Sequence, residues 1–463
     1  MPEGHRLDPT ILREYDIRGI VPETLNEADV HAIGRAFGSI LLDRGGKSAA
    51  VGYDGRLTSP ELEAALVEGL SQAGIGVVRI GLGPTPMLYY AERTLGVDAG
   101  LMVTGSHNPP EHNGIKLVIG GKPFFAADIR LLGDRAAAGG FAEGDGKVEE
   151  QSVFDDYAAR LLRDFEPGEK PLKVAWDAGN GATGEVLRKI TKGLPGGHVL
   201  LNDEIDGTFP AHHPDPTVES NLEQLKQAVA DHRCDLGIAF DGDGDRIGVI
   251  DGLGRVLWGD QLLVILAREV LDDQPGATII ADVKSSRVFF DEIARMGGQP
   301  LMWKTGHSHI KNKMAEIGAP LGGEMSAHIF FKHRYYGFDD ALYVAVRLLS
   351  ALNRSADSLG GIYDRLPAMV NTPELRFDCA EDRKFAVIGE VRERLGDEHG
   401  ITVHDIDGVR VETEDGWWLL RVSNTQAALV ARCESATPEG LERLKDRLRA
   451  QLEASGLALP VTD

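Results

Sequence analysis

Cysteine is scarce in this chain: Cys234, Cys379 and Cys433 are the three in 463 residues. Their number is odd and they lie far apart. That speaks against a disulfide framework and for a reducing compartment, the cytoplasm. Long apolar runs are also missing. None approaches the roughly 20 residues needed to span a bilayer, and Met1-Pro2-Glu3-Gly4-His5-Arg6 has no apolar signal core. Basic residues are in deficit, with 49 Lys and Arg against 72 Asp and Glu and a formal charge of -23. A broad nucleic-acid-binding face needs the opposite balance. Small anions are not excluded by that argument, because a cleft can be locally basic within an acidic protein. What is present is ordinary globular material, 42% hydrophobic and 26% charged. The chain is long enough for several domains. Small molecules are the expected partners, with no nucleic acid, no membrane, and a monomer or weak oligomer.

The pattern along the chain alternates strand and helix. Arg13–Gly19 reads as an early extended segment. Ala49–Arg56 reads as strand and turn. A helix then opens with Ser59 as N-cap and Pro60 at the first helical position, and Leu62, Leu66 and Leu70 share one face. Ile75–Ile80 is a strand, Pro84-Thr85-Pro86 caps the next helix, and Ala99–Val103 and Asn113–Ile119 are strands around a polar loop. The Gly- and acid-rich stretch Gly139–Gly146 marks a first boundary. The pattern restarts at Leu172–Asp177 and again at Ala277–Asp282. Three strands thus end in an aspartate (Asp54, Asp177, Asp282), each followed downstream by a second strand-to-loop motif. This predicts three copies of one wound α/β unit, each presenting a loop to a shared central cleft. The last part differs: a helix over 384–395, antiparallel strands at 408–411, 417–422 and 428–431, and a terminal amphipathic helix over 438–452 make a smaller α+β domain. The expected divisions are 1–150, 151–253, 254–366 and 367–463.

Two loops carry the chemistry. The first is Thr104-Gly105-Ser106-His107-Asn108-Pro109-Pro110, directly after an apolar strand. Loops at the carboxyl ends of strands are where open α/β sheets keep their reactive groups. Ser106 could be a nucleophile or a phosphate carrier there, or part of an ordinary turn. The second is Asp241-Gly242-Asp243-Gly244-Asp245-Arg246, after the apolar run Leu236–Phe240. Its glycines let the backbone coil so that three carboxylates converge. Like charges ~4 Å apart repel by about 1 kcal/mol in water and about 4 kcal/mol at an intermediate dielectric. A cation relieves that, and oxygen-only ligands select a hard one, Mg²⁺ or Ca²⁺. An EF-hand is excluded, because Arg246 stands at the sixth loop position and Gly252 at the twelfth. Mg²⁺ usually joins protein carboxylates to a phosphate, and Ser106 offers a place for one.

With these loops, Gly323-Glu324-Met325-Ser326-Ala327-His328 and Arg421-Val422-Ser423-Asn424-Thr425 complete a set, in order and spacing, that resembles the α-D-phosphohexomutase family. The bacterial phosphomannomutase/phosphoglucomutase branch is the most similar. The resemblance implies four domains around a cleft and interconversion of mannose or glucose 1- and 6-phosphates through a phosphoserine enzyme. It implies Mg²⁺ as cofactor and glucose or mannose 1,6-bisphosphate as activator and intermediate. Ser106 would carry the phosphoryl group and, with Asp241, Asp243 and Asp245, hold the metal. Arg246 and Lys116 would lie by the transferring phosphate, with Lys116 and His307 in proton transfer. Glu324 and Ser326 would bind sugar hydroxyls. Arg421, Ser423, Asn424 and Thr425 would hold the phosphate that is not reacting. Tyr15, Arg18, Lys284 and His328 match further positions around the cleft. Two departures stand out: Gln426-Ala427 where many relatives have an acidic residue and proline, and Met325 where glucosamine-type mutases have Gln. A glucosamine-phosphate mutase, a phosphatase using the same serine, and a non-catalytic sugar-phosphate binder are the competing readings.

Overall fold

The computed structural model describes residues 4–396, 398–423 and 427–459. Three of its four sheets share one topology. In each, a first strand runs parallel between a second and a third, and the third turns back through a hairpin to an antiparallel fourth. In the first unit these strands are Ser48–Tyr53, Gly76–Leu82, Ala99–Val103 and His112–Ile119. In the second they are Lys173–Asp177, Gly197–Leu201, Leu236–Phe240 and Ile247–Asp251. In the third they are Thr278–Asp282, Gln299–Trp303, Leu321–Gly323 and Ile329–Phe331. The expected threefold repeat is thus present as one strand order used three times.

Local sequence explains the elements. The third strand of the first and second units, Ala99–Val103 and Leu236–Phe240, is buried at every position, as a parallel strand covered on both faces requires. Ile17–Ile20 adds an edge beside His112–Ile119. The turn at 252–254 folds the chain back, so that Val256–Leu257 pairs with Ile247–Asp251 and the second sheet runs past residue 253. Helices cover both faces, and one contiguous apolar core joins the second and third units to one side of the first.

Two local expectations need correction. Ser59 is the first helical residue of Ser59–Gln72, not its cap; Thr58 takes that place, and Ser59 Oγ instead donates to Asp54 Oδ1 at 2.6 Å. A buried carboxylate outbids the helix end for the hydroxyl. Gly323, the first residue of the motif read as the third unit's loop, lies in the strand Leu321–Gly323, where a β-carbon on it would meet Leu263 Cδ2 at 3.0 Å.

The fourth sheet is antiparallel throughout. Ala428–Ser435 lies between Gly416–Val422 and the two short strands Val370–Asn371 and Leu375–Asp378. The helices Glu381–Leu395 and Pro438–Ala454 pack on it around Trp418, Leu420 and Leu448. Its contact with the third unit is built on arginine. Arg410 Nη1 donates to Val283 O and Ser285 O at 2.8 and 2.7 Å, and the guanidinium lies over the Trp417 ring. No helix among the described residues is long and apolar enough to cross a membrane.

Candidate active site

All three third-to-fourth hairpin loops open on one cavity of about 1200 Å³, whose far side is closed by the fourth sheet. Two of these loops are anchored by the aspartate at the end of their unit's first strand. Asp54 Oδ2 accepts from Gly105 N at 3.2 Å and Thr104 Oγ1 at 2.8 Å. Asp282 Oδ1 accepts from Met325 N at 3.1 Å. Asp177 accepts from Gly179 N and His212 Nε2, both at 2.9 Å, and so holds the Pro-flanked turn at 212–216. Asp54 and Asp282 buttress their hairpin loops, Asp177 a neighbouring turn, and none of the three lines the cavity.

The serine loop is shaped by a residue that the sequence pattern did not single out, Arg56. Its buried guanidinium donates from Nη1 to Pro109 O and His112 O at 2.6 and 2.9 Å, and from Nη2 to Ser106 O at 2.8 Å and Asn108 O. Asp54 lies 3.3 Å from its Nε, and the Phe209 ring of the second unit covers it at 5.0 Å. A β-carbon on Gly105 would come within 2.3 Å of Arg56 Nε, so no side chain fits there. The loop bends so tightly that Ser106 takes a left-handed φ of 49°, an uncommon conformation for a residue with a β-carbon. Its signal was the alternation Asp54-Gly55-Arg56 after a strand, which reads equally well as a surface turn.

Ser106 Oγ lies 3.1 Å from Asp241 Oδ2 and 3.2 Å from His107 Nδ1. Asp241 Oδ1 is already taken by the N–H groups of Gly244, Asp245 and Arg246 at 3.0–3.1 Å, and Gly244 reaches this geometry through a φ of 77°. Asp243 Oδ2 accepts from Lys116 Nζ at 2.7 Å and from Thr85 Oγ1 at 2.5 Å, and Lys116 also holds Asp245 Oδ2. Asp243 Oδ1 and Asp245 Oδ1 are buried and accept no hydrogen bond among the described residues. Asp241, Asp243 and Asp245 each offer an oxygen within 4.8 Å of the others. Orphaned carboxylate oxygens, gathered at a buried point and free of nitrogen or sulfur, fit a hard divalent cation.

The electrostatics are those of crowded charge. Burial, then Asp245 and Asp243, push the Asp241 carboxyl well above its ordinary range. Burial would raise Asp245 as well, but Lys116 and His328 hold it below. Burial opposes the charge on Lys116, yet Asp243 and Asp245 keep it firmly protonated. Burial, then Arg246 and Arg18, press the His107 imidazole well below its usual value. His307 is pressed down likewise, by burial and then by Lys311.

The other expected residues surround the same space. Arg18 Nη1 reaches Gly105 O and, at 3.0 Å, Asn108 Oδ1, while Nη2 pairs with Asp16. Tyr15 donates to Thr305 O at 3.0 Å, with its ring edge against His307. Arg246 Nε donates to His328 Nε2 at 2.9 Å. Glu324 Oε1 accepts from Gly306 N at 2.7 Å, and burial raises its carboxyl. Ser326 and Ser423 line the cavity. Met325 also lines it, and its Sδ touches the Arg432 guanidinium. Lys284 Nζ pairs with Glu374 Oε2 across the third and fourth units at 2.9 Å. Arg421 Nε donates to Asp407 Oδ2 at 3.0 Å, and its buried Nη2 has no partner among the described residues. Asn424, Thr425 and Gln426 lie outside the described residues. Asp339, Asp407 and Arg56, like Asp16, Glu374 and Arg432, are polar residues of this region that the sequence pattern did not single out.

Relatives give this arrangement its place. The chain matches the phosphoglucomutase/phosphomannomutase alpha/beta/alpha domains I, II and III over residues 9–141, 155–254 and 258–370. It matches the C-terminal domain of the same group over residues 374–451. It is 44% identical over 456 residues to the phosphomannomutase/phosphoglucomutase of Pseudomonas aeruginosa, covering 98% of each chain. It is 40% identical over 448 residues to a phosphoglucomutase of Neisseria meningitidis, covering 96% of this chain and 97% of that one. The crystal structure of a phosphoglucomutase/phosphomannomutase family protein from Burkholderia thailandensis superposes with a TM-score of 0.93 at 42% identity, over 98% of this chain and 100% of that one. Such a fold with such relatives marks an isomerase that works by phosphoryl transfer. The chain belongs to the phosphoglucomutase/phosphomannomutase family.

Proposed function

We propose that this enzyme interconverts the 1- and 6-phosphates of mannose and glucose, with Ser106 carrying the phosphoryl group between them. The observation that supports this most directly is Ser106 Oγ at 3.1 Å from Asp241 Oδ2, beside a cavity also lined by Arg421, whose Nη2 has no partner among the described residues. In the first half-reaction the phosphoryl group leaves Ser106 Oγ for a sugar hydroxyl, and the hydroxyl proton goes to a base. The resulting bisphosphate turns end over end, and its other phosphoryl group returns to Ser106. A divalent cation held by Asp241, Asp243, Asp245 and the serine's phosphate would supply charge neutralisation. Phosphoryl transfer otherwise needs positioning and exclusion of water.

The residues divide the work by charge. Lys116, firmly protonated, and Arg246 face the transferring group as cations. His307 is neutral and able to take a proton. Arg421, with Ser423, Asn424 and Thr425, would receive whichever phosphate is idle, since a guanidinium with hydroxyl and amide donors reads phosphate and little else. Glu324 and Ser326 suit the hydroxyls that stay central when the sugar turns. A pair fixed there is indifferent to C2, where glucose and mannose differ.

The test is turnover on mannose, glucose and glucosamine 1-phosphates with magnesium present, together with the mass of the protein and of Ser106→Ala. Isomerisation of the first two, a phosphate on the wild-type chain, and neither property in Ser106→Ala are expected. Release of free phosphate without isomer would instead establish a phosphatase, and binding with no turnover a carrier.

A further inference from the structure

Beside the serine and the aspartate triad lies a second buried polar cluster, formed by His307, His328, Asp339 and Lys311. Asp339 is fully buried at the end of the segment preceding helix Ala341–Arg354. Its Oδ1 accepts from Lys311 Nζ at 2.8 Å. Its Oδ2 faces two imidazoles at once, with His328 Nδ1 at 3.1 Å and His307 Nδ1 at 3.8 Å. The two rings stack, with centroids 5.4 Å apart and planes 24° from parallel. His307 and Lys311 are one turn apart on helix His307–Ile317, so both face the carboxylate from the same side.

The protons in this cluster follow from one contact. Arg246 Nε can only donate, and it donates to His328 Nε2 at 2.9 Å. Nε2 is therefore the bare nitrogen, and the ring proton of His328 sits on Nδ1, facing Asp339. That assignment also bears on metal binding. Asp245, His328 and Asp339 bring ligand atoms within 4.8 Å of one another, but an Nδ1 that carries a proton is not a metal donor. The same carboxylate oxygen stands before His307 Nδ1. At 3.8 Å that nitrogen is beyond hydrogen-bond reach, so the carboxylate does not fix the tautomer of His307.

We infer that Asp339 is a positioning residue that sets the tautomer of His328, keeping its Nε2 as the acceptor that aims Arg246. This rests on the mutase reading above for its kinetic consequence, though not for its structural one. Lys311 balances the buried carboxylate, so Asp339 can face the His328 N–H without an uncompensated charge. The arrangement is that of a carboxylate behind a working imidazole.

The experiment is long-range proton–nitrogen correlation on nitrogen-labelled histidine in the magnesium-loaded enzyme, for the wild type, Asp339→Asn and Asp339→Glu, with turnover measured on each. His328 is expected to carry its proton on Nδ1 in the wild type and to lose that single tautomer in Asp339→Asn. The kcat of Asp339→Asn should fall about 10- to 100-fold, the scale of losing a residue that orients a working ligand, with KM changed much less. Asp339→Glu should recover part of both signals. Turnover in Asp339→Asn within about twofold of wild type, or a fall in turnover with the His328 tautomer unchanged, would overturn the inference. Should Asp339→Asn fail to fold, the wild-type spectrum decides alone: a proton on Nε2 of His328 refutes it and a proton on Nδ1 supports it. A wild type that shows the expected tautomer but does not isomerise any hexose phosphate would sink the mutase reading and leave the tautomer assignment standing.

Discussion

Lys116 Nζ lies 2.7 Å from Asp243 Oδ2, a carboxylate supplied by a different unit of the fold. The lysine stands on the fourth strand of the first unit and the aspartate on the corresponding hairpin of the second. The ammonium thus neutralises part of the charge that a divalent cation would otherwise carry alone.

Replacing Lys116 with Met should therefore act in two opposite directions. Turnover should fall by about a hundredfold or more, the scale of losing a positioned acid–base group. Magnesium should bind more tightly, by about tenfold, because a neighbouring cation no longer repels it at short range. Calorimetric titration with magnesium and steady-state kinetics measure the two effects separately.

Arg56 contacts no substrate position, yet its loss should be severe. Arg56→Ala strips four carbonyl oxygens of the serine loop of their donor and leaves Asp54 with one fewer buried cation. Breaking a buried pair of this kind costs about 3–5 kcal/mol. Thermal unfolding should show the loss in the first unit, and phosphorylation of Ser106 should fail. Arg56→Lys should restore little of either, since an ammonium cannot donate in the planar fork that spans the loop.

Arg421→Ala should weaken the hold on the idle phosphate. KM for hexose 1-phosphate should rise about tenfold or more, in keeping with loss of a charge-assisted contact. Phosphorylation of Ser106 by a small phosphoryl donor should change far less, because the serine lies at the other end of the cavity. Equal effects on both would remove Arg421 from the distal role.

Much of this was legible in the residues. The Asp241–Arg246 loop and the serine loop announce themselves by spacing, since glycines between carboxylates and a polar turn after an all-apolar strand have few other uses. The repeat could be read from strands ending in Asp54, Asp177 and Asp282. What those aspartates do could not be read, because their partners are backbone N–H groups and hydroxyls from far along the chain. Arg56 and Asp339 were missed for the same reason. Each acts through contacts that only the fold assembles, Arg56 on carbonyls beyond residue 105 and Asp339 on the His328 ring and on Lys311. Ser59 shows a further limit: its helix-start pattern is sound, but a buried carboxylate within reach changes which group its hydroxyl serves.

Glu374 gives a pH prediction. Lys284 and Arg376 draw its carboxyl, against the effect of burial, from 4.5 down to about 2. A depressed folded-state value adds stability that is complete above pH 4.5 and is lost as pH falls through 2. The full contribution is about 3 kcal/mol. Glu374→Gln should therefore be less stable than wild type at neutral pH, and the gap should close between pH 4.5 and 2. Fluorescence of the buried Trp417 and Trp418 during denaturant unfolding reports on this part of the molecule.

The serine and the carboxylate that faces it are 135 residues apart in the chain. A ribosome making this protein therefore releases the first unit well before the aspartate loop and the Phe209 ring that roofs Arg56 have emerged. Until then the hydroxyl stands without the acidic partner beneath it. The site is complete only when the second unit docks on the first, so a chain that stops before residue 241 lacks the carboxylate that Ser106 faces.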